Sequence, residues 1–393
     1  MNLSTHWKLD PEITFLNHGS FGACPTAVLE RQMEFRAQME RQPVQFFVRD
    51  LPDLLDTSRN RVAQYLDAES NDIAFVRNAT EGVNAVVGRM DFKPGDEVLV
   101  TSHGYRACEN AALHAVRKAG GKLVFANFPF EGITPEDVLE SISSQVSSRT
   151  KMALIDHITS PTGLVLPIEK IVRHLESVGV PTLVDGAHAP GMLDLSLKTL
   201  NPAWYVGNFH KWVCAPKGSA FLYARRDLHE GLHPASISHG YSFPLGAETH
   251  SRYHLEFDWT GTQDPTPWLT TPYAIEFMES ICEGGWPAIR ERNRQLTLRG
   301  RDIICHRLGI AAPSPDSMIG QLAALRLPPA EGPPPTSPLY VNPLQDELLN
   351  DFRIEVPIVP WPDSPERLVR ISAALYNVEE DYERLATALE QLI

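Results

Sequence analysis

Seven short, strongly apolar runs recur between residues 72 and 225, and helix-like segments separate most of them. They are "DIAFVR" (72–77), "EVLVTS" (97–102), "KLVFANF" (122–128), "KMALIDHI" (151–158), "PTLVDG" (181–186), "AWYVGN" (203–208) and "GSAFLYAR" (218–225). Runs this short and this uniformly apolar fit strands covered on both faces, and the intervening segments suit crossover helices. The pattern predicts an α/β fold with a mostly parallel seven-stranded sheet. Upstream, "PTAVLERQMEFRAQMERQ" (25–42) places proline at a first helical position, and "DLLDTSRNRVAQYL" (53–66) sets Leu54, Leu55, Val62 and Leu66 on one helical face. Beyond residue 270 the pattern changes to helices, a proline-rich loop (328–338), a strand in "RLVRISAALY" (367–376) and a last helix. The chain therefore divides into an N-terminal arm (1–22), a large domain (23–270) and a smaller α+β domain (271–393).

Charge narrows the partners. The 393 residues carry a formal net charge of −14, with no Lys/Arg cluster to track phosphates, which argues against nucleic acid. No apolar run approaches the roughly 20 residues that span a bilayer. The first residues lack a signal-peptide pattern, and the five cysteines are scattered without CxxC spacing. A cytoplasmic protein with reduced thiols and no metal site is the expectation.

Ligands in open α/β sheets bind beyond the carboxyl ends of the strands. Those ends carry Asn78, Ala79 and Thr80; His103 and Tyr105; Thr159 and Ser160; Asp185 and His188; and Asn208, His210 and Lys211. Amide, hydroxyl, imidazole, carboxylate and amine thus converge on one rim. Lys211 sits in the largely apolar "GNFHKWVCAPKGSAFL", where a lasting ammonium would be costly. Pyridoxal 5'-phosphate matches the set: an amine for its aldehyde, a carboxylate for its pyridine nitrogen, and a helix N-terminus with a hydroxyl for its phosphate.

"VDGAHAPG" followed by "GNFHKWVCAPKGSAFL" resembles the Asp and Schiff-base Lys segments of class V aminotransferase-like enzymes, which are fold type I pyridoxal-phosphate enzymes. "LNHGSFGACP", "NATEGVNAVV", "DHITSPTG", "DWTGTQDPTPWL", "FRIEVPIVPW" and "VRISAALYN" extend the resemblance along most of the chain. The isopenicillin N epimerase-like branch is the most similar, followed by hercynylcysteine sulfoxide lyases and, more distantly, cysteine desulfurases.

The resemblance implies roles. Lys211 forms the internal aldimine and shuttles the Cα proton, Asp185 pairs with the pyridinium nitrogen, and His188 lies near the phenolic oxygen. Thr80 and the Ala79 backbone hold the phosphate, with Asn208 and His210 adding contacts; Asn208 stands where relatives carry Ser. Thr262, in "TGT", reaches the phosphate from a partner subunit, which implies a homodimer. His103 stacks on the ring, or Tyr105 does so or serves as a second acid/base. Arg370 grips the substrate α-carboxylate, and Asn17 and His18 line the substrate mouth. Lys217 is the rival amine, but it precedes a strand and is assigned to a loop.

An amino acid bound this way loses its α proton, and three outcomes follow: epimerisation, expulsion of a side-chain substituent by a C–S lyase, or transamination. Epimerisation is the first choice. No cysteine lies beyond Cys305, which counts against desulfuration through a persulfide. A cofactor-fold binding protein without catalysis is opposed by the presence of both Lys211 and Asp185. "HEGLH" (229–233) fits the HExxH zinc pattern, but Gly231 and the following Pro234 oppose the helix that motif needs.

Overall fold

The computed structural model describes residues 3–246, 250–332, 336–337 and 341–393. Twelve strands appear in chain order: β1 Thr14–Phe15, β2 Ile73–Val76, β3 Glu97–Thr101, β4 Lys122–Ala126, β5 Thr150–Asp156, β6 Thr182–Asp185, β7 Trp204–Asn208, β8 Ala220–Ala224, β9 Leu322–Leu327, β10 Ile354–Glu355, β11 Ile358–Pro360 and β12 Arg367–Ser372. Seven of them form one sheet in the order β2-β8-β7-β6-β5-β3-β4. Only β8 runs against its neighbours. The seven apolar runs are these seven strands.

The side-chain period of two explains why the runs are continuous rather than alternating. Ala74, Val76, Val98, Val100, Leu154, Leu183 and Val206 face the helices Ala79–Arg89 and Arg106–Lys118. Their sequence neighbours Ile73, Phe75, Leu99, Ile155, Val184 and Tyr205 face a second layer that includes Leu51–Leu66, Ile168–Ser177 and Thr266–Ser280. Both faces are buried, so both parities must be apolar. The exception is β4 at the sheet edge, where Lys122 and Phe125 are exposed.

The helix Thr266–Ser280 continues through Pro272, which cannot donate to the carbonyl of Trp268. Ser58 fills the gap, its Oγ donating to that oxygen at 2.7 Å. This helix packs on the large domain and carries the chain across the boundary placed at residue 270.

The C-terminal part is a three-stranded antiparallel sheet, β11-β12-β9, backed by the helices Gly285–Leu308 and Glu379–Leu392. β9 lies in "QLAALRL", which carried no strand expectation. The arm joins this part, since β1 pairs in parallel with β10. Of the proline-rich loop, residues 333–335 and 338 fall outside those described. Among the described residues, no helix is long and apolar enough to cross a membrane.

Candidate active site

At the carboxyl edge of the sheet lies a cavity of about 730 Å³. Asp156, Asp185 and Asn208 end β5, β6 and β7. Each is two residues beyond a side chain that faces the helix Ala79–Arg89, so period two turns all three to that same face. Ten of the anticipated residues line this cavity: Asn78, Ala79, Thr80, Tyr105, Ser160, Asp185, His188, Asn208, His210 and Lys211.

Asn78 caps the helix Ala79–Arg89, its Oδ1 accepting from the Glu81 amide at 2.9 Å. Asn208 Oδ1 accepts from the Ala79 amide at 2.9 Å, tying the end of β7 to that N-terminus. The first turn of a helix presents amides without intrahelical partners and the positive end of the dipole, which suits an anion beside Thr80. His210 Nδ1 lies 3.1 Å from the carbonyl of Ser219.

Lys211 follows β7 in a tight turn closed by the Cys214 amide on the Lys211 carbonyl, 3.0 Å. Its Nζ is 3.0 Å from His188 Nε2. Burial, and then the Arg370 charge, push the amine down to about 7. Half of such a group is free base near neutrality. Asp185 is buried and makes no salt bridge among the described residues; its Oδ1 accepts from the Ala187 amide at 3.0 Å. Burial raises its carboxyl, and hydrogen bonds from Cys108 and Ala187 oppose the rise. A buried carboxylate without a salt bridge among the described residues, facing a cavity, fits a cationic ring nitrogen.

Arg370, on β12, is buried, and its Nη1 donates to the carbonyl of Ser160 while its Nη2 donates to Ser20 Oγ at 3.1 Å. Its Nε has no partner among the described residues. No carboxylate meets this guanidinium among the described residues, and burial lowers it to about 10. A buried guanidinium held only by neutral acceptors is what a substrate carboxylate would complete.

Arg370 and four other anticipated residues are not part of the cavity wall. His103 is fully buried, stacked on Phe128 with centroids 4.3 Å apart, and its ring nitrogens engage Thr162 Oγ1 and the Phe128 carbonyl, both at 2.9 Å. Tyr105, two residues later, faces the cavity instead. Asn17 donates to Glu355 at 2.8 Å. His18 bridges Tyr376 Oη at 2.7 Å and the Lys211 carbonyl at 3.0 Å. These two latch the arm to the small domain and to the lysine turn, while the next residues, Ser20 and Phe21, reach the cavity. Thr262 is exposed on the protomer surface.

Asp156 and Cys108 also line the cavity. The strand-end rule could have found Asp156, the last residue of β5, but the end was placed at Thr159 and Ser160. Cys108 lies on a helix and carried no signal. Lys217 lines the cavity too, its Nζ donating to the carbonyl of Gly22 at 3.0 Å. In "HEGLH" no helix forms: Gly231 has φ +73°, His229 Nε2 lies 2.9 Å from the Ala224 carbonyl, and His233 pairs with Glu256 at 2.7 Å.

The family model for class V aminotransferases matches residues 17–316. The chain belongs to that family. Its members are pyridoxal-phosphate enzymes. This class V enzyme is 35% identical to an isopenicillin N epimerase of Amycolatopsis lactamdurans, across 98% of its own length and 96% of the relative's. It is 29% identical to an L-cysteine desulfhydrase of Arabidopsis thaliana, across 96% and 87%. Among solved structures, a cysteine desulfurase from Thermococcus onnurineus superposes with a TM-score of 0.82 at 20% identity, covering 100% of this chain and 97% of that one.

Proposed function

We propose that this enzyme holds pyridoxal 5'-phosphate on Lys211 and epimerises an amino acid at its α carbon. When bound, the cofactor supplies an electron sink for the charge left at that carbon. Asp185 holds the ring nitrogen protonated. Thr80, the Ala79 amide region, Asn208 and His210 receive the phosphate, and Tyr105 flanks the ring. Arg370 grips the substrate α-carboxylate through the donors that now meet Ser160 and Ser20.

The observation that carries the reading is that Lys211 and Tyr105 line one cavity with complementary proton inventories. The Lys211 amine is lowered to about 7 and takes a proton at neutral pH. The Tyr105 phenol is raised, first by burial and further by the nearby Asp185 carboxylate, so it keeps one to give. A base and an acid whose environments push them apart are what removal and return of one proton require. The 35% identical epimerase supports the same reading.

The second reading is C–S bond cleavage in a cysteine-like substrate, supported by the similar desulfhydrase. Incubation of candidate amino acids in deuterated water separates the two. Exchange of the α proton with inversion supports epimerisation; released pyruvate and sulfide overturn it in favour of the lyase.

A homodimer belongs to this proposal. Phe21, Met33, Val44 and Val48, together with Ile237, Tyr241 and Phe243, leave large apolar side chains exposed on the protomer. Thr262 would then reach the partner's phosphate site. Light scattering on the purified chain tests the stoichiometry.

A further inference from the structure

His188 stands between two nitrogens. Its Nε2 is 3.0 Å from Lys211 Nζ, and its Nδ1 is 3.3 Å from Trp212 Nε1. An indole nitrogen donates only. Nδ1 must therefore offer its lone pair to Trp212, and the single proton of a neutral ring must reside on Nε2, aimed at the lysine.

The ring is neutral for reasons of place. It is buried, which disfavours the charged ring first of all, and the lasting charge of Arg370 opposes a second cation nearby. Asp185 and Cys108 approach Lys211 from the other side. An Nε2–H donor requires an acceptor at Nζ, and only a free amine accepts. The alternative arrangement, an ammonium donating to Nε2, requires a proton on Nδ1, which would confront the indole N–H donor to donor.

Trp212 has little freedom to yield. It is 3% exposed and sits inside the turn closed between Lys211 and Cys214. A loop carrying Gly191 (φ +87°) packs so closely that a Cβ there would stand 2.5 Å from the Trp212 carbonyl carbon.

We propose that Trp212 is a positioning residue that sets the His188 tautomer, making His188 an Nε2–H donor to the Lys211 amine. Its place in catalysis rests on the role proposed above for Lys211. The hydrogen-bond relay itself needs no cofactor, so a failure of the cofactor reading leaves this test intact.

The test uses the full-length chain without cofactor, labelled with 15N in histidine and tryptophan. At pH 8, above the midpoint of the Lys211 amine, the expected His188 signals are a proton on Nε2 and an accepting Nδ1. A 15N–15N coupling across the hydrogen bond to Trp212 Nε1 is expected as well. Trp212→Phe removes the donor but keeps an aromatic ring. In that variant His188 should shift toward the Nδ1–H form. Acylation of Lys211, mapped by mass spectrometry, should fall about fivefold at pH 7 as its midpoint rises by about one pH unit. Trp286→Phe, which deletes an indole donor bonded to the Ile275 carbonyl, should change neither. A proton on Nδ1 in the unmodified chain, absence of the coupling, or a Trp212→Phe protein with unaltered tautomer and Lys211 reactivity would each overturn the proposal. The coupling is measured on the unmodified chain, so the test survives if the variant does not fold.

Discussion

Asp156 and Asp185 are register partners on β5 and β6, so two buried carboxyl groups stand side by side at the edge of the sheet. They do not share the load equally. Burial, the negative potential of Asp185 and that of Glu109 raise Asp156 well above the ordinary range, whereas Asp185 gains hydrogen bonds that oppose its rise. Asp156 is the member pushed further toward its protonated form, and Asp185 is the one better supported to carry charge toward a ring nitrogen.

The asymmetry predicts different outcomes for two similar substitutions. Asp185→Asn removes the charge and should weaken cofactor retention by tenfold or more, on the order of 1.4 kcal/mol. Asp156→Asn mimics the protonated form and should leave retention nearly unchanged. Equilibrium dialysis of the two variants against the cofactor checks this. The pH dependence follows with its sign. The Asp156 carboxyl is raised in the folded chain, so its contribution to stability is present below the unfolded value of 3.8 and is lost as pH rises through the folded value. The cofactor-free protein should therefore melt at a lower temperature at pH 8 than at pH 5, and Asp156→Asn should reduce that difference.

Lys211 should titrate as a lowered amine. Below about 7 it is protonated and cannot attack an aldehyde; above, it can. Covalent capture of pyridoxal phosphate by the cofactor-free chain should accelerate about tenfold from pH 6 to pH 8 and then level off, followed by absorbance. Lys211→Ala should lower turnover by about a thousandfold, in the range that loss of a positioned proton-transfer group produces. Borohydride treatment followed by peptide mapping should place the adduct on Lys211 and none on Lys217.

Arg370→Lys keeps a positive charge but loses the fork that reaches Ser160 and Ser20. An ammonium cannot bind a carboxylate bidentately from a fixed plane. KM for an α-carboxylate substrate should rise about tenfold to a hundredfold, equivalent to roughly 1.4 to 2.7 kcal/mol, with a smaller change in kcat. Steady-state kinetics on the variant decide it.

Gly22 is where the arm crosses the lysine turn. Its φ of 70° and ψ of 165° belong to a region populated essentially by glycine, and a Cβ would meet the His210 carbonyl oxygen at 2.1 Å. Gly22→Ala should cost about 2 kcal/mol or more, measured by urea unfolding, and should loosen the arm that carries Ser20 and Phe21 to the cavity.

The sequence by itself determined the seven strands, their common carboxyl rim and the lysine and carboxylate at adjacent strand ends. These follow from local periodicity, because a strand buried on both faces must be apolar at both parities and can become polar only where it ends. Tertiary structure decided what periodicity does not encode. It turned Tyr105 to the cavity and stacked His103 on Phe128, and it used Asn17 and His18 as latches while bringing Ser20 and an exposed Phe21 to the cavity's edge. It also joined Cys108 to Asp185 and Trp212 to His188. Each of these depends on which distant surfaces meet, since a side chain's partner across the fold is chosen by packing rather than by its neighbours in the chain.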